Sequence, residues 1–86
     1  MWYVQYSKNF EKSLSKIDKR YALKILTFLD SLQTSSTPTG FDILKMSGRE
    51  SDYRCRIGMY RIIYNVNKNQ IIITLLDIAH RKDVYK

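Results

Sequence analysis

The 86-residue chain is 44% hydrophobic, 27% charged and 13% aromatic, with three Gly and one Pro, which excludes a disordered tail and fits one small domain spanning residues 1–86. A single Cys excludes an intramolecular disulfide. The opening MWYVQYSK has no signal-peptide pattern and no apolar run nears the roughly 18 residues of a membrane helix, so a soluble, cytoplasmic protein of a reducing compartment is expected, with no membrane partner. The net charge of +7 draws polyanions, either nucleic acid or an acidic protein.

Residues 2–6 are aromatic and β-branched and predict a short strand. Ser7 is placed to cap a helix over 8–17, where Phe10, Leu14 and Ile17 fall at helical spacing with Lys8, Glu11, Lys12 and Lys16 outside the stripe. From Asp18 a wider stripe of Tyr21, Ala22, Ile25, Leu26, Phe28, Leu29 and Leu32 predicts a second helix, giving a hairpin that ends in the polar loop 34–40. Segment 41–52 reads as loop with room for a short strand. Ile43, Leu44 and Met46 are expected to dip into the core there, and Gly48 marks a turn. Three strands follow, 53–57, 60–66 and 71–78, separated by the two-residue turn Gly58-Met59 and a polar turn over 67–70. The last is apolar on both faces and belongs inside the sheet. The fold expected is α+β: an N-terminal strand, a helical hairpin, then a three-stranded antiparallel meander.

The charge is unevenly spread. Residues 44–86 hold nine Lys/Arg against four Asp/Glu, whereas residues 1–43 hold six against four. Five of the six Arg lie in the second half, and Arg has the planar fork that matches phosphate. Alternation puts Arg54 and Arg56 on one face of their strand, with Tyr53, Cys55 and Ile57 on the other. A two-residue turn sets Arg56 opposite Arg61, so three guanidinium groups share a face. Like charges facing across strands are destabilising, and their retention points to a bound anion; a solvated face on which the Arg stems lie along Ile63 is the simpler alternative. His80, the only His, is the one side chain whose ordinary pKa suits proton exchange near neutrality. It opens the tail 79–86, which the sheet order can bring beside the arginines. Cys55 belongs to the core face and is read as a small hydrophobe. A lone Cys, a lone His and scattered Asp exclude a zinc cluster or a two-metal centre, so neither metal nor cofactor is expected.

The run 53–64, YRCRIGMYRIIY, followed by an apolar strand and then His80-Arg81-Lys82-Asp83-Val84-Tyr85, resembles the C-terminal half of the RelE/ParE toxin superfamily, in its RelE branch. Length and element order agree along the whole chain. The resemblance implies a type II toxin that cleaves messenger RNA in the ribosomal A site and is neutralised by a cognate antitoxin. By position it implies catalytic roles for Arg54, Arg56, Arg61, His80, Arg81 and Tyr85, and RNA-binding roles for Lys45, Arg49 and Lys82. The partners implied are the antitoxin, mRNA and the ribosome with its rRNA.

The chemistry is then attack of a ribose 2′-OH on the adjacent phosphate. It needs a base, cationic stabilisation of the phosphorane, and an acid for the departing 5′-oxygen. Arg stays protonated, so the arginines hold charge; His80 is assigned as the proton-transfer group and Tyr85 as its partner or as a base-stacking and orienting group, with acid and base left open. Two other readings compete: a ParE-type protein that inhibits DNA gyrase without catalysis, and an RNA-binding module without toxicity.

Overall fold

The computed structural model describes residues 1–48 and 51–80. In chain order the elements are β1 (Tyr3–Tyr6), α1 (Lys8–Leu14), α2 (Lys19–Ser31), β2 (Asp42–Lys45), β3 (Asp52–Ile57), β4 (Tyr60–Asn67) and β5 (Ile72–His80). They form a five-stranded sheet of order β1-β5-β4-β3-β2, in which β1 lies parallel to β5 and the other pairs are antiparallel. The expected α+β meander is present. The sequence reading stopped short of two features, the edge strand β2 and the parallel docking of β1.

Each helix begins where a polar side chain satisfies amides that the first turn leaves open. Ser7 Oγ accepts from the Phe10 amide at 3.0 Å and its hydroxyl donates to the Leu76 carbonyl at 2.9 Å, so the cap also fastens α1 to β5. Asp18 caps α2, accepting from the Arg20 amide at 2.9 Å, and the Tyr60 hydroxyl accepts from the Asp18 amide at 3.2 Å. α1 ends at Leu14, earlier than its apolar spacing suggests. The chain then tightens through Lys16 N to Ser13 O and Ile17 N to Leu14 O bonds, which keeps Ile17 against the core while turning toward α2.

The core lies between the helices and one face of the sheet. Phe10, Ile25, Phe28, Leu29 and Leu32 meet Cys55, Ile57, Ile62, Tyr64, Val66, Ile73, Leu75 and Ile78, all buried. Tyr64 donates its hydroxyl to the Ser36 carbonyl at 2.8 Å, which pins the 34–40 loop and supplies the partner that a buried hydroxyl requires.

Three local expectations need correction. Leu44 is 60% exposed and does not enter the core, because β2 pairs with β3 in a register that puts Leu44 beside Arg54; Ile43, one residue earlier, does pack against the core. Met46 is only half-buried just beyond the end of β2. Ile71, read as the first residue of a strand, lies in the preceding turn at φ 58°, a left-handed conformation that a β-branched residue rarely adopts.

Candidate functional site

The site is built on β3 and β4. Gly58 sits at φ 58° at the first position of the two-residue turn, which aligns Ile57 with Tyr60 and Arg56 with Arg61. Arg54, two residues before Arg56, therefore lies on the same face, opposite Ile63 of β4 and Leu44 of β2. Ala79, the smallest residue nearby, opposes Arg61 from β5 and leaves the space beside that side chain open. The expected clustering of Arg54, Arg56 and Arg61 on the sheet face away from the helices is what the register produces.

The repulsion inferred from sequence is, however, relieved in part. Asp42 of β2 pairs with Arg56 and sends its carboxylate between two guanidinium groups. Its Oδ2 accepts from Arg56 Nε at 3.0 Å and lies 3.0 Å from Arg56 Nη2, and its Oδ1 lies 3.5 Å from Arg54 Nη1. The Arg56 hydrogen bond, with the charge of both cations behind it, holds the Asp42 carboxyl below the usual carboxylate range. Sequence reasoning missed Asp42 because a four-residue edge strand gives little alternation to read. The signal was Asp-x-Leu-x at period two, which would place Asp42 and Leu44 beside the Arg54/Arg56 face once β2 is paired.

Arg54 differs from its neighbours. Its side chain is only 14% exposed, against 53% for Arg56, since β3 lies inside the sheet and Leu44 and Ile63 flank Arg54. Its Nη1 is buried and has no hydrogen-bond partner among the described residues. A desolvated charged donor without an acceptor is costly, and an anion arriving at this face would relieve it.

His80 is not brought to the arginines. It pairs with Tyr60, packs edge-on against that ring with centroids 5.3 Å apart, and joins Ser13, Lys16, Ile17 and Ile78 around a cavity of about 300 Å³ on the helix side. The cause is a bulge in β5. Tyr64 pairs with Leu75 while Ile63 pairs with Asp77, so Leu76 is an extra residue, and beyond it the alternation that buried Ile73 and Leu75 now turns Ile78 and His80 inward. Lys45, opposite Tyr53, shares the parity of Ile43 and also lies off the arginine face; it lines a depression with Ser51, Tyr53, Val66 and Lys68, a second lysine not singled out from sequence. Arg49, Arg81, Lys82 and Tyr85 lie outside the described residues.

Cys55 is fully buried, as expected, and burial pushes its thiol pKa up to about 12, so it is no nucleophile at neutral pH. Among the described residues, no three His, Cys, Asp or Glu converge to hold a metal, and no helix is long and apolar enough to cross a membrane. Beside Arg56, a groove of about 470 Å³ runs between α2 and the sheet edge, lined by Leu23, Lys24, Phe41, Asp42 and Ile57 among others.

Comparison with known proteins agrees with this architecture. Residues 4–85 match the family described as the ParE toxin of type II toxin-antitoxin system, parDE. Toxin RelE3 of Methanocaldococcus jannaschii is 32% identical over 84 residues, which cover 95% of this chain and 93% of that protein. The archaeal RelE-RelB complex from Pyrococcus horikoshii contains a chain with 32% identity and a TM-score of 0.82, covering 93% of this chain and 94% of that one. The RelB-RelE antitoxin-toxin complex from Methanococcus jannaschii has one at 29% identity, also with a TM-score of 0.82 and 94% coverage of both chains. With a family model spanning nearly its whole length and relatives above 30% identity over most of both chains, the protein belongs to the RelE/ParE superfamily of type II toxin-antitoxin toxins, in its RelE branch.

Proposed function

We propose that this chain is a cytoplasmic, metal-independent endoribonuclease that cuts messenger RNA in the ribosomal A site and is neutralised by a cognate antitoxin. The observation that carries the reading is the desolvated Arg54 Nη1, lacking a hydrogen-bond partner among the described residues, on a face it shares with Arg56 and Arg61. Three guanidinium groups suit a phosphorane, whose charge grows as the 2′-OH attacks. Among the described residues, no carboxylate pairs with Arg61. In this reading Arg54, Arg56, Arg61 and Arg81 hold the phosphate and its developing charge. Lys45, Arg49 and Lys82 bind flanking RNA. Tyr85 and His80 are the proton-transfer groups, and because His80 is turned to the helix side, its part requires the substrate strand to wrap past the end of β5. The ribosome supplies the orientation that so open a surface lacks. The antitoxin reading draws on the RelE–RelB complexes of the relatives and on exposed Leu23 and Leu26 of α2, apolar surface beside the groove at Arg56.

Primer extension on translating ribosomes, with analysis of the new ends, tests the proposal. Cuts in translated messages with 2′,3′-cyclic phosphate or derived 3′-phosphate ends are expected. A 3′-hydroxyl would make water the nucleophile and overturn the mechanism. The match to a ParE family model favours a second reading, gyrase inhibition without catalysis; intact messages alongside poisoned gyrase would select it.

A further inference from the structure

We infer that Asp42 is a positioning residue that aims the Arg56 and Arg54 guanidinium groups at a bound phosphate, an inference that rests on the arginine face being the RNA site. A guanidinium presents two donor edges, one made by Nε with one terminal nitrogen and one made by both terminal nitrogens. Asp42 takes the first edge of Arg56 through a single oxygen, at 3.0 Å from both Nε and Nη2. The second edge stays directed outward, on a side chain that is 53% exposed. The other carboxylate oxygen lies 3.5 Å from Arg54 Nη1, too far to satisfy it but near enough to fix where that charge sits. One carboxylate thus ties together two cations two residues apart on one strand, and it leaves each with donor capacity for a phosphate oxygen. Asp42 is itself held by pairing opposite Arg56 in the β2–β3 ladder, so backbone hydrogen bonds fix its position. Without it, two flexible side chains of like charge would splay apart, and losing about an ångström of alignment is worth up to about a hundredfold in rate.

The test joins side-chain NMR with kinetics. In the wild type the Arg56 Nε–H should be protected from exchange and remain so when a single-stranded oligoribonucleotide binds; in Asp42→Ala the protection should vanish while circular dichroism and melting show an intact fold. On translating ribosomes Asp42→Ala should lower kcat by roughly tenfold to a hundredfold, with KM changed less than about twofold, and Asp42→Asn, which keeps one acceptor, should recover part of the loss. Asp42→Ala should add little in an Arg56→Ala background, since the two act through one contact. Release of the Arg56 Nε–H by the oligoribonucleotide would mean that Asp42 competes with phosphate, and would overturn the inference. So would an Asp42→Ala protein that cleaves at the wild-type rate. A wild type that fails to cleave but keeps the Nε–H protected with RNA bound would sink the ribonuclease reading and leave the positioning role standing at an anion site. Failure both to bind the oligoribonucleotide and to cleave on translating ribosomes would overturn both.

Discussion

Cys55 pairs with Ile62, the immediate neighbour of Arg61, yet chemistry reaches Cys55 and Arg61 from opposite sides of the sheet. The Cys55 thiol, at the centre of the core, should resist alkylation in the native protein and react only on unfolding, which a timed reaction with a thiol reagent in increasing urea would show. Its raised folded-state pKa also fixes a sign. The thiol contributes stability that is fully present below the unfolded value of about 8.5 and is lost as pH climbs toward the folded value of about 12. The Cys55 contribution to the unfolding free energy should therefore hold to about pH 8 and then fall with a limiting slope near 1.4 kcal/mol per pH unit, and Cys55→Ala should flatten the limb below pH 10. For Arg61 the expectation concerns function alone. Arg61→Ala should reduce cleavage on the order of a hundredfold, as loss of one charge-stabilising donor does elsewhere, with an unchanged or slightly raised melting temperature because a like-charged neighbour of Arg56 is removed. A collapsed melting temperature would reassign Arg61 to the fold.

Among the elements, the β3–β4 hairpin was the most legible before any coordinates, since Gly58-Met59 fixes both the turn and the register that sets Arg56 against Arg61. Gly58 has a second reason to be glycine. A Cβ there would collide with the Tyr21 ring, which packs edge-on against Tyr60 at 5.6 Å between centroids. Gly40 has φ 88° and nothing within 4 Å of its would-be Cβ, so it isolates the backbone effect. Gly40→Ala should cost about 1–2 kcal/mol in urea denaturation, and Gly58→Ala distinctly more, because the Tyr21 ring must move to clear the methyl group. Equal losses would show that Tyr21 yields without cost. β2 was hardly legible, because four residues at a sheet edge carry a weak pattern and their partner strand decides which side chains face out. The side of the sheet that His80 takes was legible only to someone who knew of the Leu76 bulge, which no local residue preference announces.

At the scale of the whole molecule, both helices pack on one face of the sheet and the arginines occupy the other, so attraction of an acidic partner to this face should depend strongly on salt. The association rate of the antitoxin should fall as ionic strength rises from about 0.01 to about 0.15 M, where the Debye length shrinks from about 30 to about 8 Å; a rate indifferent to salt would place the contact on apolar surface such as Leu23 and Leu26. Layering and element order could be read from periodicity, since the helical stripes and the alternating inward residues of β3, β4 and β5 supply the core. What periodicity could not supply was the strand at the far edge of β5. Tyr3 pairs with Ile72 and Tyr6 with Leu75, so residues nearly seventy positions apart complete the edge of the sheet beside β5. That closure orders events in time. While the chain is being made, its first strand has nothing to pair with, and Phe10 and Ile25 have no Ile73 or Leu75 to pack against, until β5 has been synthesised and is free of the ribosome. The arginine hairpin is translated earlier, but the sheet that aligns it cannot be complete, so activity that depends on the fold begins only once β5 has left the ribosome.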